Sequence, residues 1–345
     1  MLINPLQGGS LMRPLALLTA LALSLFVAGC GDDDDDNGMG PAGVAEFDVI
    51  QEGVDSYVDS DLAPTISSQT LWENLNDGDA SNDPVIVSVR SSAHYALGHI
   101  AGAINIPWRE IADPAQLAKL SKSDDIVIYC YTGHTGGVAT TALNAMGYSA
   151  KNLKFGMVGW TKDAAVRVAK PFSETTDAHD FPIEMITNTG GSYALPAPDN
   201  TTSEDVAEIL RAAAESYVAD PDKPATISAQ ALFDNLNDGD ASNDPVVVSV
   251  RAAAHYALGH IEGAINIPWR EIAKVENLSQ LPTDKQIVIY CYTGHTGAVA
   301  TATLNMLGYS AVNLKFGMGS WTTDPTVRVA APFSEDTSPD LPTVQ

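Results

Sequence analysis

Residues Tyr129–Gly136 read Tyr-Cys-Tyr-Thr-Gly-His-Thr-Gly, and the same eight residues recur at Tyr290–Gly297. The first copy follows a short apolar run, Ile126–Tyr129, that predicts a buried strand, and a helical pattern comes after the loop. In α/β sheets, the point where a parallel strand ends and a helix begins is where ligands are usually bound. The stretch therefore predicts an α/β fold with one thiol site in each copy.

The repeat extends far beyond this loop at a constant offset, since 291 − 130 = 161 and 269 − 108 = 161. It holds without gaps from about Thr65 to Phe172, and Val85–Trp108 agrees with Val246–Trp269 at 20 of 24 positions. A period of this length is a whole domain and not a solenoid unit. We expect two domains with one fold and one site geometry, although recent duplication alone also explains the identity.

Within one copy, short apolar runs alternate with helical patterns, which is typical of a parallel sheet covered by helices on both faces. The predicted strands of the first copy are Thr65–Ile66, Val85–Val89, Ala103–Ile106, Ile126–Tyr129 and Asn152–Phe155. The predicted helices are Ser68–Leu75, Pro114–Leu120 and Gly136–Met146, repeated at Ser228–Leu236, Val275–Leu281 and Gly297–Leu307. A further amphipathic helix introduces each copy, at Val49–Val58 and at Ser203–Val218.

The charge balance limits the possible partners. The 345 residues include 18 Lys and Arg against 43 Asp and Glu, a net charge of −25. Such a charge opposes binding to nucleic acid or to anionic lipid headgroups. It also disfavours a free anionic substrate, unless backbone dipoles reverse the field near the site. A protein thiol or a neutral small molecule is an easier guest.

The N-terminus has the pattern of an export signal. Arg13 precedes an apolar run, Leu15–Val27, that is too short to span a bilayer comfortably but suits a signal peptide. Val27–Cys30 reads Val-Ala-Gly-Cys and resembles the bacterial lipobox, which implies cleavage before Cys30 and its lipidation. We therefore predict a leader at 1–30, an acidic tether at 31–45 and a lipid-anchored protein of the bacterial cell envelope. An uncleaved anchor helix and a plain secretory signal are the alternatives.

The residues after each cysteine suit a thiolate. Thr132, Gly133, Thr135 and Gly136 are small or polar, so the backbone can curl and direct its N–H groups at the sulfur. A helix N-terminus adds positive potential and lowers the pKa of a cysteine. His134 has two open roles, as a cationic or hydrogen-bonding partner of the thiolate or as a cap of the loop. We expect an exposed sulfur held by several converging amides.

The order of the motifs resembles that of the rhodanese sulfurtransferase family. Each copy has Val-Arg-x-x-x-His-Tyr-x-x-Gly-His-Ile-x-Gly-Ala-Ile-Asn-Ile-Pro, then a strand, the cysteine loop, a helix and Leu-Lys-Phe-Gly-Met-x-x-Trp. The resemblance implies two tandem rhodanese-like domains, at 46–173 and 203–338, each with a five-stranded parallel sheet flanked by helices. The segment 174–202, rich in Pro, Gly, Thr and Asp, is the predicted linker.

The same resemblance implies the chemistry. Cys130 and Cys291 would accept sulfane sulfur as a persulfide from a polysulfide, persulfide or thiosulfate donor, and pass it to a thiol or cyanide. No cofactor or metal is implied, and the membrane is contacted only through the lipid anchor. The loops that would cradle the persulfide comprise Tyr131, Thr132, Gly133, His134, Thr135 and Gly136, with Tyr292, Thr293, Gly294, His295, Thr296 and Gly297 in the second copy.

Two departures from the family's pattern concern charged groups. Thr135 and Thr296 stand at the sixth loop position, where members commonly have an arginine that binds anionic donors, so thiosulfate should bind less well. Ser88 and its copy Ser249 replace an acidic residue often found two positions before the strand-end arginine. Arg90 and Arg251, which we expect to brace the loop, would then need other partners.

Several features of the sequence bear on other functions. Related phosphatases need an arginine where Gly136 stands, to grip phosphate in a bidentate manner. A scaffold module that keeps the fold without turnover stays open, as does a thiol redox protein, although the Cys-x-x-Cys motif is missing. His94 and His99 lack further ligands at metal spacing and are assigned to the framework. Asn76–Asp83 lacks the EF-hand Gly and Glu and is read as a solvated turn.

Overall fold

The computed structural model describes residues 45–345, which belong to one compact unit. The predicted leader, the lipidated Cys30 and nearly all of the acidic tether lie outside the described residues. Among the helices that are described, none is both long and apolar enough to cross a membrane.

The first repeat alternates strands and helices as the apolar runs predicted, except that its last strand lies at Ser149–Leu153 and not at Asn152–Phe155. Its strands are β1 (Thr65–Ile66), β2 (Val85–Ser88), β3 (Ile104–Asn105), β4 (Asp125–Tyr129) and β5 (Ser149–Leu153). Its helices are α1 (Glu46–Val58), α2 (Ser68–Leu75), α3 (Ser92–Ala96), α4 (Pro114–Leu117), α5 (His134–Ala145), α6 (Gly156–Trp160) and α7 (Ala164–Arg167). A short 3₁₀ helix covers Trp108–Glu110.

The second repeat has the same elements and two short extra strands, β6 (Ile183–Glu184), which precedes it, and β9 (His260–Ile261), which pairs with β6. Its other strands are β7 (Thr226–Ile227), β8 (Val246–Ser249), β10 (Ile265–Asn266), β11 (Gln286–Tyr290) and β12 (Ser310–Leu314). Its helices are α8 (Val206–Val218), α9 (Ala229–Leu236), α10 (Ala253–Tyr256), α11 (Val275–Leu278), α12 (His295–Met306), α13 (Met318–Trp321) and α14 (Pro325–Arg328), with 3₁₀ turns at Trp269–Glu271 and Glu335–Thr337.

Each repeat has a five-stranded parallel sheet, which confirms the predicted fold class. The strand order is β1-β5-β4-β2-β3 in the first repeat and β7-β12-β11-β8-β10 in the second. The strand that carries the cysteine, β4 or β11, is the central one, and its carboxyl end is buried because strands pair with it on both sides. The fold therefore positions each thiol at the middle of a sheet edge.

The helix that follows each cysteine begins two residues earlier than predicted, at His134 and not at Gly136. Gly133 takes the preceding cap position with φ of 92°, a left-handed conformation that glycine adopts without steric cost. This turn leaves only three residues between Cys130 and the helix. The loop is consequently tight, and the histidine belongs to the first turn of the helix.

A large apolar core joins the two repeats. Its members come from α1, α5, α8 and α12 and from both sheets. Helices α5 and α12 pack against each other closely enough that a Cβ atom on Gly137 would lie 2.8 Å from the Cβ of Ala298. The helices that follow the two cysteines therefore form the centre of the interface between the repeats.

The predicted linker is packed along much of its length against the second repeat. Phe181 donates its N–H to the carbonyl of Trp321 at 3.1 Å, and Pro182 accepts the indole N–H of Trp321 at 2.8 Å. β6 then pairs antiparallel with β9. The segment after the first repeat is thus part of the second repeat's structure.

The C-terminal segment makes the equivalent contacts on the first repeat. Leu341 donates its N–H to the carbonyl of Trp160 at 2.7 Å, and Pro342 accepts the indole N–H of Trp160 at 2.9 Å. His99 and Val344 form a two-way backbone bridge. Each repeat is closed by the segment that follows the other one.

We predict that removing Asp340–Gln345 destabilises the first repeat, because Leu341 leaves a buried position and Trp160 loses its cover. The free energy of unfolding should fall by about 2–4 kcal/mol, as for other buried aliphatic side chains. Urea unfolding followed by tryptophan fluorescence would measure both the loss and the exposure of Trp160. Deletion of the exposed Gln345 alone is the control. Equal stability of the two truncated proteins would contradict the exchange of segments.

Candidate functional site: two facing cysteine loops

The two cysteines lie at the carboxyl ends of β4 and β11, as predicted, but they are not exposed. Cys130 is 1% and Cys291 2% accessible, so the expectation of an exposed sulfur is wrong. Each sulfur accepts one loop N–H within the described part of the chain, from Gly133 or Gly294, at 3.1 Å. The two loops face each other across the interface, since the side chain of His295 approaches Gly133 and that of His134 approaches Gly294.

Gly133 cannot carry a side chain for two independent reasons. Its φ of 92° is strained for any residue with a Cβ. That Cβ would also lie 2.5 Å from Nε2 of His295, which belongs to the opposite repeat. Gly294 has the same φ and the same relation to His134. The glycines therefore set both the loop conformation and the close approach of the repeats.

An asparagine of the neighbouring strand supports each loop, and the sequence predicted no role for it. Asn152 in β5 donates its side-chain N–H to the carbonyl of Gly133 at 2.7 Å, and Asn313 does the same for Gly294 at 2.8 Å. A Cβ on Gly136 would lie 2.3 Å from Oδ1 of Asn152, so glycine is required there as well. The role of this asparagine could have been inferred from the sequence Asn-Leu-Lys-Phe-Gly-Met, which is identical in both copies.

The loop histidines cross the interface and lock the repeats together. Nε2 of His134 accepts the backbone N–H of Phe316 at 3.1 Å, and Nε2 of His295 accepts that of Phe155 at 2.9 Å. The two imidazole rings stack with 6.2 Å between their centroids and 17° between their planes. Both histidines thus bind the opposite repeat. The sequence had predicted that His134 would either contact the thiolate or cap its own loop.

These hydrogen bonds require neutral imidazoles. A nitrogen that accepts an N–H carries no proton of its own, so the proton of His134 lies on Nδ1, which is 2.9 Å from Oγ1 of Thr132. Burial lowers the pKa of His134 to about 3, and the charges of His295 and Lys315 add to the effect. Burial, then Lys154, lowers the pKa of His295 to about 3 as well. His134 is therefore not a cationic partner of the thiolate.

The residues that meet the histidines are themselves strained. Phe155 and Phe316 have φ of 64° and 65°, a conformation that is rare for a bulky side chain. Their rings pack with Phe172 and Phe333, which come from the ends of the two repeats. Such strain persists only where the surroundings fix it, and it occurs frequently at functional sites.

Arg90 and Arg251 are fully buried and lie beside the loops without touching the sulfurs. Arg90 donates to the carbonyls of Val166 and Gly98 at 2.8 and 2.5 Å and stacks over the ring of Tyr129. Its Nε lies 3.4 Å from Oγ of Ser88. Carbonyl oxygens and an aromatic face therefore replace the carboxylate partner, and the role that remains is to brace the strand end.

The remaining loop residues lie at the rim. Tyr131 and Tyr292 are partly exposed, and their hydroxyls lie 2.6 Å from Nδ1 of His94 and His255, respectively. Thr135 and Thr296 are also partly exposed. Between residues 45 and 345, no three His, Cys, Asp or Glu side chains gather as a potential metal site. These partly exposed loop residues bear hydroxyl groups and no charge.

We predict that the crossed histidines make stability depend on pH. Between about pH 6.5 and pH 3 the unfolded chain binds protons that the native histidines do not, so the free energy of unfolding falls as the pH is lowered. Each histidine contributes a slope of about 1.4 kcal/mol per pH unit within that range. The stabilisation is fully present above about pH 6.5.

Urea unfolding at several pH values would measure the slope, which His134→Gln and His295→Gln should each reduce. Phe172→Leu loosens the same interface without removing a titratable group. It should lower stability at every pH and leave the slope unchanged. An undiminished slope in the histidine variants would show that these imidazoles are not buried in the neutral form.

Comparison with known proteins agrees with this architecture. A family model described as the rhodanese-like domain matches residues 67–163 and 228–324. A Mycobacterium leprae protein named "Putative thiosulfate sulfurtransferase" is 26% identical over 74% of this chain and 92% of its own length. A Mycobacterium bovis protein, "Putative thiosulfate sulfurtransferase 2", is 27% identical over 65% of this chain and 72% of its own.

Among solved structures, a rhodanese-like domain protein from Staphylococcus aureus is 28% identical and covers 28% of this chain and 88% of that one, with a TM-score of 0.25. The two family matches together span more than half of the sequence. The chain therefore belongs to the rhodanese-like domain family, with two such domains in tandem.

Proposed function

We propose that the protein is a sulfurtransferase in which Cys130 and Cys291 each carry sulfane sulfur as a persulfide. The observation that carries the proposal is the position of each thiol in a rhodanese-like domain. It lies at the carboxyl end of the central strand, in front of a helix N-terminus, with a loop amide 3.1 Å from the sulfur. The amide and the helix terminus both direct positive partial charge toward the sulfur.

The reaction has two displacement steps. The cysteine thiolate attacks the outer sulfur of a donor, the sulfur–sulfur bond of the donor breaks, and the remainder leaves with the bonding electrons. An acceptor thiolate or cyanide then attacks the terminal sulfur of the persulfide, and the cysteine thiolate is the leaving group. Neither step needs an oxidant, a reductant or a metal ion.

Access to the sulfurs requires movement at the interface. Because each cysteine is at most 2% accessible, a donor can reach the sulfur only after a local movement, and we infer that the two facing loops separate. The two hydrogen bonds from Phe155 and Phe316 to the histidines must then lengthen or break. The strained backbone of both phenylalanines would relax in the same motion, which lowers the cost of opening.

The test is sulfur loading of the purified protein and of its cysteine variants. After incubation with polysulfide or thiosulfate and removal of the excess, cyanide should release up to one sulfur per cysteine. Cys130→Ser and Cys291→Ser should each retain the sulfur of the remaining cysteine, and the double variant should release none. Failure to load with every donor, in a protein that is folded by circular dichroism, would refute the proposal.

A non-catalytic scaffold is the second candidate, and the burial of both cysteines favours it. The rate of alkylation separates the two functions, since a carrier's sulfur must become accessible. Iodoacetamide should modify Cys130 and Cys291 of the native protein on the time scale of sulfur loading. Protection until global unfolding would favour the scaffold.

A further inference from the structure

A cleft of about 770 Å³ lies at the rim of the Cys130 loop and is built from both repeats. Tyr131 and Thr132 form the wall that belongs to the cysteine loop. Lys315 and Phe316, from the second repeat, form another wall, and Lys170 lies on the segment that leaves the first repeat. The cleft thus joins the predicted nucleophile's loop to lysines that are distant in the sequence.

The lysines of this cleft have no carboxylate partner. Of the other charged residues at its edge, Arg167 and Glu335 pair with each other at 2.6 Å. The carboxylate of Asp177 accepts the backbone N–H of Ser173 at 2.8 Å. No carboxylate of residues 45–345 lies within ion-pairing distance of Lys170 or Lys315. Lys315 is half-buried here, and together with Lys170 it supplies two positive charges beside the Cys130 loop in a chain with a net charge of −25.

The corresponding region of the second repeat differs in charge. Arg328 pairs with Glu174 at 2.7 Å, as Arg167 does with Glu335 in the first repeat. The position equivalent to Lys170 is Ala331, and the position equivalent to Lys315 is Lys154, which is exposed where Lys315 is half-buried. The Cys291 site therefore has one exposed lysine nearby, whereas the Cys130 site has two lysines at a cleft.

We propose that this cleft binds an anionic sulfur donor of the thiosulfate class for Cys130, with Lys315 of the opposite repeat and Lys170 in place of a loop arginine. The two sites then differ in the donors they accept. Cys130 is loaded from oxyanionic donors, and Cys291 is loaded better from neutral polysulfanes. At Thr135 the two lysines would compensate for the missing loop arginine. The weaker thiosulfate binding expected from the loop threonine then applies in full only at Thr296.

The inference rests on the proposed sulfurtransferase function and specifies where its donor enters. Cys130 does not line the cleft, so a bound donor reaches the sulfur when Tyr131 and Phe316 move apart. The thiolate then forms a bond to the outer sulfur of thiosulfate, the sulfur–sulfur bond of thiosulfate breaks, and sulfite leaves with the electron pair. The lysines neutralise the approaching dianion, whose entry the charge of the chain otherwise opposes.

Binding can be measured without sulfur transfer in the full-length Cys130→Ser, Cys291→Ser protein. Titration calorimetry with thiosulfate at low ionic strength should detect one site, weakened by salt. Lys315→Ala and Lys170→Ala should each lower the affinity about fivefold or more, as expected for loss of a charged contact. Lys154→Ala is the matched control and should leave this affinity unchanged. Absence of binding, or equal effects of all three variants, would overturn the inference.

Loading kinetics test the difference between the two sites. In the Cys291→Ser protein, Lys315→Ala and Lys170→Ala should raise the KM for thiosulfate and leave loading from dimethyl trisulfide, a neutral donor, unchanged. With this donor the thiolate attacks the central sulfur, methanethiolate leaves with the electron pair, and the sulfane sulfur is held in a mixed trisulfide that cyanide can cleave. In the Cys130→Ser protein, Ala331→Lys should lower the KM for thiosulfate. Normal thiosulfate kinetics in the lysine variants would refute the cleft and leave the sulfurtransferase intact. Binding without loading from any donor would refute the sulfurtransferase and leave the anion site.

Discussion

The hydrogen bonds from Phe316 to His134 and from Phe155 to His295 are the interactions on which the arrangement of the two sites depends. They set the distance between the loops, and they require neutral imidazoles. They also hold two phenylalanines in a left-handed conformation that neither would adopt alone. Together with the packing of α5 on α12, they turn two copies of one domain into a single body with a shared core.

This interface changes what a duplicated domain can do. Each cysteine loop faces the loop of the other repeat, and both cysteines are buried. Residues of one repeat consequently become part of the other repeat's site, as Lys315 does beside Tyr131. The exchange of the segments after each repeat, seen at Trp160 and Trp321, reinforces the same dependence. Separation of the repeats would therefore expose the apolar surface of their common core.

The sequence predicted what is local to one repeat. The five strands, the cysteine at the end of the central one and the helix after it follow from apolar periodicity and from the glycines of the loop. It did not predict contacts between the repeats, because identity between residues 161 positions apart does not show whether the two residues are close in the fold. His134 was accordingly assigned to its own loop, and Lys315 and Asn152 received no role. The packing of 174–202 was missed because a Pro- and Gly-rich composition is typical of linkers.

Two neutral histidines, each bound to the opposite repeat, hold the cysteine loops face to face. Proton–nitrogen correlation NMR of the imidazole side chains measures their protonation state. We expect His134 and His295 both to carry their proton on Nδ1 at neutral pH and not to titrate near pH 6.5, since the pKa of each is lowered to about 3. Titration of either ring near pH 6.5, or a proton on Nε2, would contradict this arrangement.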